Sequence, residues 1–356
     1  MKTTIHWTSS LASNITAVIS AQSTPTSLDA LSKSSLAQTL DFAAFFESWR
    51  AEKLPEWRRL HLQGVDDIAS KHLLPWFGEK RLNEITRADV MLFRAHLAAL
   101  PGHRGRRLSA SRMNKIFVIF RQVMAEGARR YGFDDPVADI RKLKAPQPEV
   151  RPFTLREVQQ ICATIDPFYR DYMTTRFFSG MRTGEINGLR WNRVDFDRNV
   201  IMVREVFSAG EAEENAKSEH AIRDIMMLPP VREALLSRHA RCDQSDLNGA
   251  YVFTSPRGRP IDAKNFANRV FYPLLARLHI ERRRPYQTRH TTATLLLAAG
   301  ESPEWIAKFL GHANTEMLFT VYSRYVPNLT RHDGSAVSLL LNRLEGSTNS
   351  RGAEHD

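Results

Sequence analysis

The nine residues from Lys144 to Pro152 hold three prolines, at 146, 148 and 152. Each proline removes a backbone N–H and fixes φ, so neither a helix nor a strand runs through such a stretch. The chain is therefore expected to fold as two bodies joined by a proline-rich linker over 146–152. Residues 1–38, rich in Ser, Thr and Ala, read as a flexible N-terminal arm. Residues 39–145 form the first domain, 153–346 the second, and 347–356 a polar tail.

From Asp41 onward the first domain is helical in pattern and no sheet is expected. Phe42, Phe45, Phe46 and Trp49 recur at helical spacing and should face a core. Thr86 and Asp89 offer a capping box, although Glu or Gln is usual at the acidic position. The helix that follows presents Val90, Phe93, Leu97 and Leu100, and breaks at Pro101-Gly102. Another helix over 109–130 buries Ile116, Phe120, Val123 and Met124. In the second domain Thr154 and Glu157 make a regular capping box, opening a helix with Leu155, Val158, Ile161 and Cys162 on one face. Alternation over 193–207 around an Asp-Arg-Asn turn, and again over 222–228, predicts strands, with Ser208–His220 as a polar loop between them. Helices are expected near 262–279, 288–299, 303–310, 315–325 and 335–344. The fold class is mainly α with a small β-sheet in the second domain.

Charge narrows the partner. Lys and Arg outnumber Asp and Glu by 50 to 39, a net charge of +11 that favours a polyanion. Nucleic acid comes first and an anionic membrane second, but no apolar run reaches membrane-spanning length and no signal peptide is recognisable. Two cysteines, Cys162 and Cys242, without a Cys-x-x-Cys pair, indicate neither a disulfide framework nor a zinc site and suit a reducing cytoplasm.

Five short motifs lie in order along the second domain. They are Ser179-Gly-Met-Arg182-Thr-Gly-Glu185, Lys217 in the polar loop, Tyr286-Gln-Thr-Arg289-His290, Leu310-Gly-His312 and Tyr322-Ser-Arg-Tyr325. Two arginines, a lysine and a histidine form a set of donors. Guanidinium forks match the two non-bridging oxygens of a phosphodiester and stay charged at any working pH. In-line attack on phosphorus spreads negative charge over those oxygens, and fixed cations stabilise it without a metal. A tyrosine hydroxyl is a competent nucleophile, and a tyrosine–phosphate ester would retain the bond energy for rejoining without ATP. Tyr322 and Tyr325 are both candidates; spacing from His312 favours Tyr322. Lys264 is a remote competitor of Lys217.

From about residue 40 to 345 this constellation resembles the tyrosine recombinases, or phage integrases. The resemblance implies a helical, SAM-like core-binding domain followed by an integrase-type α+β catalytic domain. It implies that Arg182 is the first catalytic arginine, braced by Glu185; that Lys217 protonates the departing 5′ oxygen; that Arg289 is the second arginine; that His312 donates to the phosphate; and that Tyr322 is the nucleophile. One position departs from the family pattern: Tyr286 stands where a histidine is usual, three residues before Arg289. A tyrosine hydroxyl donates to a phosphate oxygen but does not act as a base near neutral pH. His290 is the obvious substitute, yet adjacent helix residues point about 100° apart, so it need not enter the same site.

Duplex DNA is the expected partner, tracked by Arg104, Arg106, Arg107, Arg112, Lys115 and Arg121 of the first domain. By resemblance the two domains clamp the duplex, and the protein, a monomer in solution, acts as a homo-tetramer on paired sites, within the cytoplasm at the nucleoid. No cofactor and no metal are expected. The apolar stripe Ala336, Val337, Leu340, Leu341 and Leu344 calls for a partner surface, in its own domain or on a neighbouring protomer. Two other functions stay open: a DNA-binding regulator that has lost cleavage, for which Tyr286 speaks, and a metal-dependent nuclease, against which the lack of an acidic ligand cluster speaks.

Overall fold

The computed structural model describes residues 40–102, 105–146, 149–208, 210–214, 222–242 and 249–322. The chain divides between Gln147 and Pro148 into two compact units, each with its own apolar core.

The first unit is helical: α1 (Phe42–Lys53), α2 (Arg59–Ile68), α3 (Arg87–Ala99) and α4 (Ala110–Tyr131). Helix α2 runs on through a wide turn at Ala69–Leu73 into a single further turn, Leu74–Phe77. Asp41 caps α1, accepting from the Ala44 N–H at 2.7 Å. That cap sets the register in which Phe42, Phe45, Phe46 and Trp49 all turn inward and are buried. Phe42 and Phe77 stack around Phe120, the last two rings 4.6 Å apart and nearly parallel. Each such buried ring contributes roughly 2–3 kcal/mol. The Thr86–Asp89 capping box forms in both directions in spite of the shorter acid. Lys80 and the Thr86 N–H together draw the Asp89 carboxyl down to about 2. Among the described residues this unit contains no strand.

The second unit begins with α5 (Leu155–Thr164), α6 (Pro167–Ser179) and the short α7 (Thr183–Asn187). Strands β1 (Val194–Asp195), β2 (Val200–Val203) and β5 (Arg223–Met226) form a three-stranded antiparallel sheet in the order β1-β2-β5. A separate hairpin, β3 (Glu205–Ser208) and β4 (Glu211–Glu214), lies between β2 and β5 in sequence and pairs Glu205 with Glu214. Helices follow: α8 (Pro229–Ala240), α9 (Ala263–Phe266, continuing through Ala267–Phe271 into Tyr272–Arg277), α10 (Gln287–Ala298), α11 (Pro303–Leu310) and α12 (Glu316–Tyr322).

Several expectations need correction. Residues 211–214 are a strand rather than loop; Glu-Ala-Glu-Glu carries no β-branched residue, and backbone pairing with β3 defines it. Leu155 is half exposed and lies off the buried face that Val158 and Ile161 share. Ile222 precedes β5 and is exposed. Helices α6 and α8 were not expected at all. The stripe expected over 335–344, the N-terminal arm and the C-terminal tail lie outside the described residues. Among the described residues no helix is long and apolar enough to cross a membrane.

Candidate functional site: an arginine pocket around the end of one helix

The site is built where α6, α7, β5, α10, α11 and α12 meet in the second unit. Helix α6 stops at Gly180, whose φ of +62° places it in the left-handed region. A Cβ there would run into the Leu310 side chain and press on Thr292, so only glycine fits. The turn points the Gly180 carbonyl at Arg289, which donates to it through Nη1 at 2.7 Å. Two residues later Arg182 stands at the N-cap of α7. The Glu185 carboxylate accepts from its backbone N–H at 2.8 Å and from its Nη1 at 2.7 Å.

Glu185 is buried and serves two arginines. Arg223, on the inward face of β5, donates to it through Nη1 at 3.1 Å and Nη2 at 2.9 Å. Burial pushes the carboxyl's pKa up, but the hydrogen bonds and charge of Arg223 and the charge of Arg182 outweigh it and hold it at about 2. The carboxylate is thus ionised at neutral pH and offsets part of the cationic charge around it.

A single helix end gathers the guanidinium groups. Helix α11 ends at Gly311, with φ of +70°, which leaves its last carbonyls without helical partners. Three consecutive carbonyls each take one arginine. Phe309 accepts from Arg223 Nε at 2.9 Å, Leu310 from Arg289 Nη2 at 2.6 Å, and Gly311 from Arg182 Nη2 at 2.8 Å. The partial negative charge at a helix C-terminus favours cations, so the helix holds the like-charged groups together. Arg289 is buried; burial first, then the charge of Arg182, lowers its pKa to about 10, so it remains protonated at neutral pH. Each guanidinium carries five N–H donors, one on Nε and two on each Nη, so on Arg182 and Arg289 these contacts leave donors for a ligand.

His312 follows Gly311 directly, and its N–H closes back on the Ala307 carbonyl at 2.8 Å. Its Nδ1 is buried and, among the described residues, has no hydrogen-bond partner. Burial, then the charges of Arg289, Arg182 and Arg223, lower its pKa to about 3, so the imidazole is neutral. Tyr322, on α12, is 1% exposed. Its hydroxyl lies 2.6 Å from His290 Nδ1. Burial raises its pKa above the usual phenol value, and Arg289 opposes that rise. Tyr286 caps α10, is 45% exposed, and sets its ring edge-on to His290 at 5.2 Å.

Arg182, Arg223 and Arg289 therefore converge on the end of α11 beside Glu185 and His312, the charge of Arg289 reaches both His312 and Tyr322, and Tyr286 lies against His290. Lys217 lies outside the described residues, as do Arg104 and Tyr325. The competing Lys264 is exposed, on α9. In the first unit Arg106, Arg107 and Lys115 are exposed. Arg112 is paired with Asp67 at 2.9 Å, and Arg121 donates to the Ile140 carbonyl at 2.6 Å, so both also hold structure. Two buried arginines of the site went unrecognised in the sequence. Arg223 shares the inward face of β5 with Ile225, and a charged residue at an inward strand position was the available signal. Arg176 links Thr183 at the start of α7 to the Pro285 carbonyl just before Tyr286, at 3.0 and 3.2 Å; nothing in its local sequence marks it.

A helical unit ahead of an α+β unit assembled in this way defines an integrase-type architecture. Residues 152–328 match the phage integrase family, and residues 41–98 match the SAM-like N-terminal domain of phage integrases. The chain belongs to the phage integrase family, the tyrosine recombinases. Prophage integrase IntR of Escherichia coli (strain K12) is 24% identical over 214 residues, covering 54% of this chain and 52% of its own length. The tyrosine recombinase XerC-like protein of Caldanaerobacter subterraneus subsp. tengcongensis is 26% identical over 174 residues, 42% of this chain and 44% of that protein. The chain spans about half the length of these curated relatives. In fold it is similar to the Tn1549 transposon integrase solved in complex with a circular intermediate DNA, with a TM-score of 0.66 and 16% identity over 86% of this chain and 99% of that one.

Proposed function

We propose that the protein is a site-specific recombinase that cuts and rejoins duplex DNA through a 3′-phosphotyrosine bond at Tyr322, integrating or excising a mobile element. The observation behind this reading is that Arg182 and Arg289 are held on adjacent carbonyls at the end of α11, next to His312, with Tyr322 within the field of Arg289. Arg182 and Arg289 hold the non-bridging oxygens of the scissile phosphate and stabilise the charge that builds on them in the transition state. His312 and the Tyr286 hydroxyl add neutral donors, and Glu185 keeps Arg182 in place. Lys217 gives the proton that the 5′ oxygen takes up on leaving. The fixed cations do what a metal ion does in other phosphoryl transfers, and the tyrosine ester conserves the bond energy, so neither metal nor ATP is required. Arg106, Arg107 and Lys115 follow the phosphate backbone. Paired sites are worked by a tetramer of this chain.

The test is covalent capture. A duplex spanning the junction of the element with its chromosome, nicked near the cleavage position, should give a protein–DNA adduct that survives denaturation and EDTA. Tyr322→Phe should bind the same duplex and form none. An adduct from Tyr322→Phe rejects the nucleophile; loss of the adduct in EDTA rejects the metal-free mechanism. Binding by the wild type with no adduct favours a regulator that no longer cleaves.

A further inference from the structure

The recombinase reading leaves the proton of the nucleophile unassigned, because Tyr286 stands at the position of the usual histidine and a phenol does not act as a base near neutral pH. The geometry around α10 supplies an acceptor four residues later. His290 Nδ1 stands 2.6 Å from the Tyr322 hydroxyl, and the two rings lie 5.6 Å apart. Among the described residues His290 is the hydrogen-bond partner of that hydroxyl. On its other flank the imidazole meets the Tyr286 ring edge-on, at an interplanar angle of 76°, which restricts its rotation.

We propose that His290 is the general base for the recombinase reaction. This inference rests on the recombinase reading above. As Tyr322 Oη bonds to phosphorus and the P–O5′ bond breaks, the phenolic proton passes to His290 Nδ1, while the 5′ oxygen takes its proton from Lys217. In rejoining, the 5′-hydroxyl attacks phosphorus and returns its proton to Lys217, the Tyr322 Oη–phosphorus bond breaks, and His290 gives its proton back to the phenolic oxygen.

The resting site suits an acceptor. Burial, then the charge of Arg289, lowers the His290 pKa to about 4, so the imidazole is neutral, and with its proton on Nε2 the Nδ1 lone pair accepts from the phenol. A phosphodiester held by Arg289 brings negative charge beside the ring. It offsets the field that disfavours imidazolium at the stage when the proton must move. Tyr286 thus takes a different role from the usual histidine: it packs against the base.

The test uses His290→Asn, whose side-chain oxygen can still accept a hydrogen bond near the Nδ1 position but cannot take up the proton. With the nicked junction duplex, it should bind as the wild type does and form adduct about 100-fold more slowly. A substrate with sulfur in place of the bridging 5′ oxygen separates base from acid, because a thiolate leaves without a proton. Sulfur should restore Lys217→Ala and leave the His290→Asn deficit unchanged. Adduct formation by His290→Asn at the wild-type rate, or its recovery on the sulfur substrate, overturns the proposal and leaves the recombinase reading standing. A wild type that forms no adduct removes both. Should His290→Asn fail to fold, ¹⁵N spectra of histidine-labelled wild type decide. The proposal requires an unprotonated Nδ1 at His290 whose resonance moves in Tyr322→Phe; a proton on Nδ1 in the resting protein refutes it.

Discussion

Arg223 and Glu185 are the residues on which the pocket's charge balance turns. Arg182 is partly open to solvent, whereas Arg223 and Glu185 are buried and depend on each other. Replacing Arg223 by Met should leave the buried carboxylate short of its two-pronged partner and cost about 3 kcal/mol, read as a lower urea midpoint. The pH dependence has a definite sign. The folded Glu185 carboxyl sits at about 2, below its ordinary 4.5. The stability it provides is therefore complete above about pH 4.5 and lost as pH falls toward 2. In Arg223→Met the folded pKa rises, so acid unfolding should begin at higher pH than in the wild type; an unchanged acid midpoint would count against this balance. At this scale the sequence was informative wherever chemistry is written in short spacings, as for Arg182 with Glu185 or Leu-Gly-His. It was silent where a side chain acts on a partner far along the chain. Arg223 reaches Glu185 across 38 positions, and His290 reaches Tyr322 across 32.

The ends of α6 and α11 do more for the site than their middles. Gly180 and Gly311 both adopt left-handed turns, and the carbonyls they expose are the ones the arginines take. Gly180→Ala should be destabilising by about 1–3 kcal/mol, since the new methyl meets Leu310 and the backbone is strained. It should also slow adduct formation more than its effect on DNA binding. A shift in thermal midpoint with full cleavage retained would show that the turn is not coupled to Arg289. Elements with one apolar face were readable, α11 above all, where Ile306, Ala307 and Phe309 to Leu310 lie on the buried side. Helix α6 was not, because it buries Asp171, Tyr172, Met173, Thr175, Arg176, Phe177 and Ser179 together, and polar residues packed on all sides leave no stripe to detect.

For the molecule as a whole, the proline-rich stretch was readable as a break in regular structure, because a proline's effect on its own backbone does not depend on tertiary contacts. Each unit has an independent core, and the basic surface of the first is available to a polyanion. If Arg106, Arg107 and Lys115 each cover one phosphate, replacing all three by Ala should reduce the slope of log K against log salt by about 3. The adduct formed per bound complex should be unaltered, and an unchanged salt slope would exclude these residues from the DNA interface.

The arginines at the close of α11 are tied to main-chain carbonyls by hydrogen bonds within the protein itself. On the recombinase proposal, guanidinium groups anchored in this way would hold one phosphate, a group of fixed shape, as a socket does. Every phosphate along a duplex has that shape, so the socket is blind to the bases on either side. On the same proposal, choosing where to cut would fall to other surfaces of the chain, and retargeting the protein to a new address would call for changes there, with the socket left alone.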